Sequence, residues 1–218
     1  MDGIYVGDVK YKDLNDDGVI DERDQTFIGN PWPKFTFGMT QQFSYKGISL
    51  DVLFTGALGV DIYNYNRFLN INPNNVNLGR NMLLETYDYA RVEMDQTGNP
   101  FIANAGTEVP RLTGTDLNGN GTRISDKFVE DGSYVRVKNI NLSYVVPTEL
   151  LGKQNVVRGL KLAVGVQNAF TFTKYKGYDP EVGASVGNNV SAGNQLIGVD
   201  YGRYPQTRMY TFSLGVDF

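Results

Sequence analysis

The chain has neither cysteine nor histidine. Without cysteine there is no disulfide framework and no thiolate nucleophile or metal ligand. Without histidine there is no Ser-His-Asp triad, no histidine general base and no ordinary zinc centre. No run of 18 apolar residues occurs, so no membrane-spanning helix is expected. The first eight residues, Met1 to Asp8, carry neither a basic start nor an apolar core, so no secretory signal is expected there. Basic residues are in deficit: 20 Lys and Arg against 24 Asp and Glu, a net charge of −4. A nucleic-acid partner calls for a basic surface and is therefore not expected. Acidic residues are present, but no pattern sets two of them about a glycosidic bond, and an enzyme of that kind is not expected either.

What the chain does have is glycine (25), tyrosine (14) and phenylalanine (12), a mixture suited to strands joined by turn-rich loops. The last ten residues state the pattern most clearly. Tyr210, Phe212, Leu214, Val216 and Phe218 fall on one parity, and Thr211, Ser213, Gly215 and Asp217 on the other. Successive side chains of a strand face opposite sides of a sheet, so one face is apolar and the other small or polar. Four more stretches alternate in the same way. Phe35, Phe37, Met39, Phe43 and Tyr45 lead through a tight turn at Lys46-Gly47 to Ile48, Leu50, Val52, Phe54 and Leu58. Tyr134, Ile140, Leu142, Tyr144 and Val146 share a parity, with Arg136 and Lys138 on the same parity near one end. Leu160, Leu162, Val164, Val166, Phe170 and Phe172 complete the set.

The strands expected from these patterns lie near 35–46, 48–58, 130–146, 159–173 and 204–218, separated by long loops at 59–127 and 175–203. A helix is expected near Gly79–Arg91, where Met82, Leu83, Tyr87 and Ala90 stand at rough helical spacing. Strands of about ten residues with one apolar face, joined alternately by short turns and long loops, suit a transmembrane β-barrel. Five strands cannot close one, since closure takes about eight or more. An open sheet with one greasy face does not survive in water, so the chain is expected to be part of a larger barrel. The alternative is a secreted, calcium-stabilised β-sandwich module that binds carbohydrate, because edge strands of a sandwich alternate likewise. A sandwich needs a second sheet, and the chain has few strands to spare for it.

One loop has the spacing of a calcium site. From Asp13 to Asp24, oxygen-bearing side chains stand at positions 1, 3 and 5 (Asp13, Asn15, Asp17). Gly18 at position 6 allows the sharp turn, Val19 offers a carbonyl at position 7, and Asp21 and Asp24 stand at positions 9 and 12. Position 12 is Asp where the template has Glu, a shorter reach for a bidentate ligand. Asn30-Pro-Trp-Pro33 follows soon after, so a paired helix–loop–helix sensor is not expected; a structural ion that stiffens the loop fits better. Asp116-Leu-Asn-Gly-Asn-Gly-Thr122 starts like a second such loop, but Lys127 stands at its position 12, and it reads as a Gly-rich turn.

Six segments stand out along essentially the whole chain: Gly7-Asp-Val-Lys-Tyr-Lys-Asp-Leu-Asn-Asp-Asp-Gly18, Ile28-Gly-Asn-Pro-Trp-Pro-Lys-Phe35 and Phe128-Val-Glu-Asp-Gly-Ser-Tyr-Val-Arg-Val-Lys-Asn-Ile140, then Gln167-Asn-Ala-Phe-Thr-Phe172, Gly177-Tyr-Asp-Pro-Glu181 and Asp200-Tyr-Gly-Arg-Tyr-Pro205. Together they resemble the C-terminal region of the SusC/RagA-like TonB-dependent outer-membrane receptors of Bacteroidetes. The resemblance implies an all-β fold, the last five antiparallel strands of a transmembrane barrel of 22 strands, with long extracellular loops containing a short helix. Residues 1–34 would be an extracellular loop carrying the calcium turn, and 35–218 the barrel portion. It implies uptake of glycan or peptide fragments across the bacterial outer membrane, with a SusD-like surface lipoprotein as lid. The implied partners are the remaining barrel and plug, the TonB complex through an N-terminal region outside this sequence, membrane lipid, and the oligosaccharide or peptide substrate. The terminal Phe218 looks like the aromatic end that the barrel-assembly machinery recognises. Trp32, Tyr175, Tyr178 and Tyr201 are the candidate substrate or lid contacts, because aromatic faces stack on sugars and peptides.

Overall fold

The period-2 stretches fold as strands because each offers β-branched and aromatic residues on one face and short polar ones on the other. The computed structural model of the chain describes residues 4–151, 156–182 and 197–218. Its strands are β1 (Phe35–Tyr45), β2 (Ile48–Leu58), β3 (Asp61–Tyr63), β4 (Val92–Met94), β5 (Pro100–Ile102), β6 (Val129–Asp131), β7 (Tyr134–Val146), β8 (Gly159–Thr173) and β9 (Met209–Asp217). The α-helix α1 spans Tyr65–Asn70. The five long strands form one sheet in the order β1-β2-β7-β8-β9, every neighbour antiparallel. β3 pairs with β6, and β4 with β5, as short separate ribbons.

Register places like with like across the sheet. Phe43, Leu50, Leu142, Val164 and Phe212 stand opposite one another in one row, and Gln42, Asp51, Asn141, Gly165 and Thr211 in the next. The connections divide by end. Lys46-Gly47 and the β7–β8 connection lie at one end, and the two long connections at the other. The first turn has positive φ at both central residues, Lys46 at 44° and Gly47 at 83°, the geometry that matches strand twist in a two-residue hairpin. Gly47 is required twice over. A Cβ there would lie 2.6 Å from the Val145 carbonyl oxygen, whose residue in turn donates its N–H to the Gly47 carbonyl.

Parity along β7 is not what simple alternation predicts. Leu53 of β2 faces Asn139, but the next residue, Phe54, faces Val137, so Lys138 is an extra residue bulged out of the ladder. On the β8 side, Val137 faces Phe170 and Asn139 faces Gln167, leaving Asn168 and Ala169 opposite that same bulge. A bulge of one residue turns the rest of its strand over. Val135 and Val137 therefore join Ile140 and Leu142 on the apolar face. Tyr134 and Arg136, expected with Ile140, lie on the polar face, where Arg136 stands between Thr55 and Thr171.

Three other expectations shift. The helix expected near Gly79–Arg91 is absent; only a single 3-10 turn, Leu84–Asp88, forms there. Of the residues at helical spacing, Leu83 and Tyr87 are exposed while Ala90 is buried, so they share no buried face. The α-helix forms instead at Tyr65–Asn70, where the Asn64 side chain caps the Arg67 N–H and Phe68 turns inward. The strand expected from residue 130 is broken at Gly132-Ser133, where the Ser133 N–H turns to the Asp131 carboxylate. The final strand begins at Met209 rather than near 204, because preceding backbone groups are taken by side chains: Asp179 accepts from the Gln206 N–H, and Asn168 donates to the Thr207 carbonyl. Residues 183–196 of the loop expected at 175–203 lie outside the described residues.

The chain divides into two units: the large sheet with its attached segments (Asn30–Ile62, Glu130–Gly198, Arg203–Phe218), and Met1–Gly29, Tyr63–Val129 and Val199–Gly202. In the second unit Phe68, Ile71 and Phe128 form a small core under Tyr63 and Tyr65. A polar strut lies in the same unit. The Asp8 carboxylate binds Arg111 at 2.7 Å and Asn120 at 2.8 Å, and Asn118 donates to the Val9 carbonyl. Burial by itself raises the Asp8 carboxyl, but its bonds to Arg111, Asn120 and the Tyr5 N–H outweigh this and hold it below its ordinary value. The strut includes the Gly-rich turn: Asp116 accepts from the N–H groups of Asn120 and Gly121, folding the turn on itself. Replacing Gly47 with alanine forces a side chain into a left-handed turn and against a carbonyl, and should cost more than about 1 kcal/mol; denaturant unfolding of the purified protein checks this.

Candidate functional site

The sheet has two unlike surfaces. On one, Phe35, Phe43, Tyr45, Phe170, Phe172, Tyr210, Phe212 and Leu214 stand exposed, Phe212 at 77% of its free area. Fully burying such a side chain gains about 1.5–3 kcal/mol. Soluble monomers rarely leave contiguous apolar patches of more than a few hundred Å² uncovered. The aromatic residues Phe35 and Phe172 lie toward the long-loop end, and Tyr45 and Tyr144 toward the short-turn end, flanking aliphatic Leu50, Val52, Ile140 and Val164. The other surface is small and polar, including a row of Ser44, Ser49, Ser143, Ala163 and Ser213.

At the long-loop end of that polar surface, the bulge at Lys138 delivers Arg136 into an ion-pair cluster. Arg136 is 2% exposed and donates through its two terminal nitrogens to Asp179 and to Glu181, the latter at 2.8 Å. Lys138 reaches Glu181 at 3.2 Å. Two cations thus face two carboxylates. Burial alone would raise the Asp179 carboxyl. The N–H groups of Gln206 and Glu181, together with Arg136, outweigh burial and hold it below its ordinary 3.8. Sequence reading had Arg136 on the other face and missed this cluster; the only visible signal was two acids, Asp179 and Glu181, close together in a loop.

The Asp13–Asp24 loop is closed by its own hydrogen bonds. Asp13 accepts from the Gly18 N–H at 2.7 Å, Asn15 from the Asp17 N–H, and Asp17 from the Val19 N–H. Asp24 accepts from the N–H groups of Leu14 and Asp21, which depress its carboxyl. Asp21 caps the short 3-10 turn Glu22–Asp24. The residue types are the hard oxygen donors calcium takes, and Asp13 Oδ1 is shielded from solvent with no hydrogen-bond partner among the described residues. Arg23, however, binds both Asp17 and Asp21 at 2.8 Å. Among the described residues no three acidic side chains are grouped closely enough to hold a metal as they stand.

Trp32 and Tyr178 are both 65% exposed. Tyr201 packs on Tyr65, ring centres 4.4 Å apart. Tyr175 is buried at 6% with its ring beneath Gly177, so it presents no face to a ligand.

No family model matches the chain. The curated TonB-dependent receptor P3 of Formosa agariphila is 35% identical over 208 residues, 95% of this chain and 19% of the receptor. The TonB-dependent receptor SusC of Bacteroides thetaiotaomicron is 27% identical, across 95% of this chain and 17% of the receptor. Among solved structures, the RagAB peptide transporter superposes with a TM-score of 0.63 at 27% identity, covering 85% of this chain and 17% of that one. The chain is homologous to a segment of the SusC/RagA-like TonB-dependent receptors. It spans about a fifth of the length of the curated relatives it matches. The fold is an antiparallel barrel-type sheet like that of its RagA-like neighbours.

Two segments that carry the likeness to the receptors meet in the ion-pair cluster. Ser133-Tyr-Val-Arg136 supplies the arginine, and Gly177-Tyr-Asp-Pro-Glu181 the two acids. Asp179→Asn should cost about 1.5–3 kcal/mol at neutral pH, because it weakens a charge-assisted bond to a buried arginine. A carboxylate with a depressed folded pKa contributes stability that is present above its unfolded value, near 3.8, and is lost as pH falls through the folded one. The gap in unfolding free energy between the parent and Asp179→Asn should therefore shrink below about pH 4; paired denaturation curves across that range read it directly.

Proposed function

We propose that the chain forms wall and long loops of an importer in the bacterial outer membrane. The observation that carries this is the sheet itself: five long strands, one face uncovered and apolar between aromatic ends, the other small and polar. Lipid would cover the first and a wet lumen the second. The named receptors and transporter among the relatives support the same reading. On it the strands are the last five of a 22-stranded barrel, the long loops are extracellular, and Phe218 ends on the periplasmic side. A plug and TonB act through the parts of the receptor beyond this chain, and a SusD-like lipoprotein closes over the loops. The cargo is an oligosaccharide or peptide fragment, and the homologous RagAB is itself a peptide transporter. Fractionation of cells making the intact protein should recover it in the detergent-extracted outer membrane; recovery in the soluble fraction contradicts the proposal.

We also propose a structural calcium ion in the Asp13–Asp24 loop. Asp13, Asn15, Asp17, the Val19 carbonyl, Asp21 and Asp24 would hold it. The ion would replace Arg23 as the positive charge among Asp17 and Asp21, and give Asp13 Oδ1 a partner. Calorimetric titration of the intact protein should show calcium binding that Asp13→Ala or Asp17→Ala abolishes and Arg23→Gln strengthens. Absence of binding in the parent rules the ion out.

A further inference from the structure

The unit built on Phe68 and Phe128 holds a cavity of 230 Å³. Ala90, Ile102, Val109 and Pro110 give it apolar wall, and Glu108 and Lys127 border it as charged residues. Asp8 borders it too, but Arg111, Asn120 and the Tyr5 N–H already engage that carboxylate. Lys127 sits in the 3-10 turn Asp126–Phe128. Phe68 of α1 meets Phe128 edge-on, ring centres 5.2 Å apart, and the Asn64 N–H bonds the Phe128 carbonyl at 2.8 Å. This packing sets Arg67 of α1 close enough to act on Lys127. Arg67 is buried and pairs with Glu85 at 2.8 Å and Glu108 at 3.6 Å. The Lys127 amine, by contrast, makes no hydrogen bond or ion pair with any described residue and lies 5.6 Å from the centre of the Phe128 ring. Nor is it shut off from solvent.

An amine against apolar wall and beside a second cation is the setting that activates a lysine as a nucleophile. Burial pushes the Lys127 amine down and Arg67 pushes it further, while Glu85 and Glu108 pull back, leaving it at about 8. At pH 7.5 about a quarter of it is then neutral, against about a thousandth of an ordinary lysine. The surroundings limit what it takes. The cavity is smaller than the roughly 300–1,000 Å³ of drug-sized sites, so it admits a body of few heavy atoms, and its wall favours an apolar one. Glu85 and Glu108 favour a cation at this position. Acylation would abolish the charge of the amine and a carbamate would reverse it, whereas an imine nitrogen still takes a proton. In that reaction the neutral nitrogen attacks the carbonyl carbon of an aldehyde and a C=N bond forms. The carbonyl oxygen leaves as water with the two amine protons.

We propose that Lys127 is a covalent capture site for small apolar aldehydes, which it holds as an imine with their carbon body in the cavity. The capture site lies within one unit and does not depend on the importer reading. To test it, the intact protein is treated with isobutyraldehyde and cyanoborohydride, which reduces the imine to a stable amine, and labelling is read at each lysine by peptide mass spectrometry. At pH 7.5 Lys127 should be labelled about tenfold faster than Lys10 and Lys12, exposed lysines of the same unit. That advantage should shrink as the pH rises past about 8, where Lys127 has already lost its proton. Ile102→Trp, at a half-buried wall position, should narrow the cavity and slow capture of isobutyraldehyde about tenfold. Formaldehyde, which needs no cavity, should label Lys127 of that variant as fast as in the parent. Labelling of Lys127 no faster than that of Lys10 and Lys12 overturns the proposal. So does an Ile102→Trp variant that slows isobutyraldehyde no more than formaldehyde.

Discussion

Phe43, Leu50, Leu142, Val164 and Phe212 stand in a row across five strands, and no described part of the chain covers them. Hiding that face from water is the constraint on which the rest depends. It accounts for the alternation over strands of nine to fifteen residues, and for the small polar residues opposite. It also bears on the sheet edges, since among the described residues β1 and β9 each pair on one side only. An uncovered edge invites pairing with further strands, and a larger barrel supplies both the strands and the lipid that covers the apolar face.

Where the alternation is interrupted, the interruption builds something. The bulge at Lys138 turns Arg136 over to the polar face while Val135 and Val137 keep the apolar face continuous. One extra residue thus preserves the greasy surface and plants a buried guanidinium beside the loop acids Asp179 and Glu181. Asp179, with Asn168, then holds the segment before β9 through Gln206 and Thr207. The last strand starts late because its approach is tied to a loop before it can join the ladder.

The sheet was legible because period-2 patterning is local and each strand carries it alone. The first hairpin could be placed from Tyr45-Lys46-Gly47, and the end-to-end asymmetry of the connections from spacing. The bulge could not be read, since Tyr134, Arg136 and Lys138 continue the parity of Ile140 without a break; only pairing with β2 and β8 shows which residue is extra. The helix near Gly79–Arg91 failed for a related reason: Leu83 and Tyr87 have helical spacing but stand exposed, whereas Asn64 caps a turn whose Phe68 faces a core. The Asp13–Asp24 spacing was plain in the sequence, but the competing role of Arg23 was not. Among the aromatic candidates, burial of Tyr175 depends on the loop turning back over it at Gly177, which residue type alone does not reveal.

The absence of native cysteine makes the central claim directly measurable, because single cysteines introduced into this segment report without background from it. Spin labels at Phe43, Leu162 and Phe212 on one face, and at Gln42, Ala163 and Thr211 on the other, sample three strands of the sheet in the intact protein in lipid bilayers. Oxygen, which concentrates in the bilayer, should relax the first set, and a water-soluble nickel chelate the second. Val137 should report with the lipid set although it lies one residue from Lys138 across the bulge. Equal access of the aqueous reagent to both sets would contradict the account.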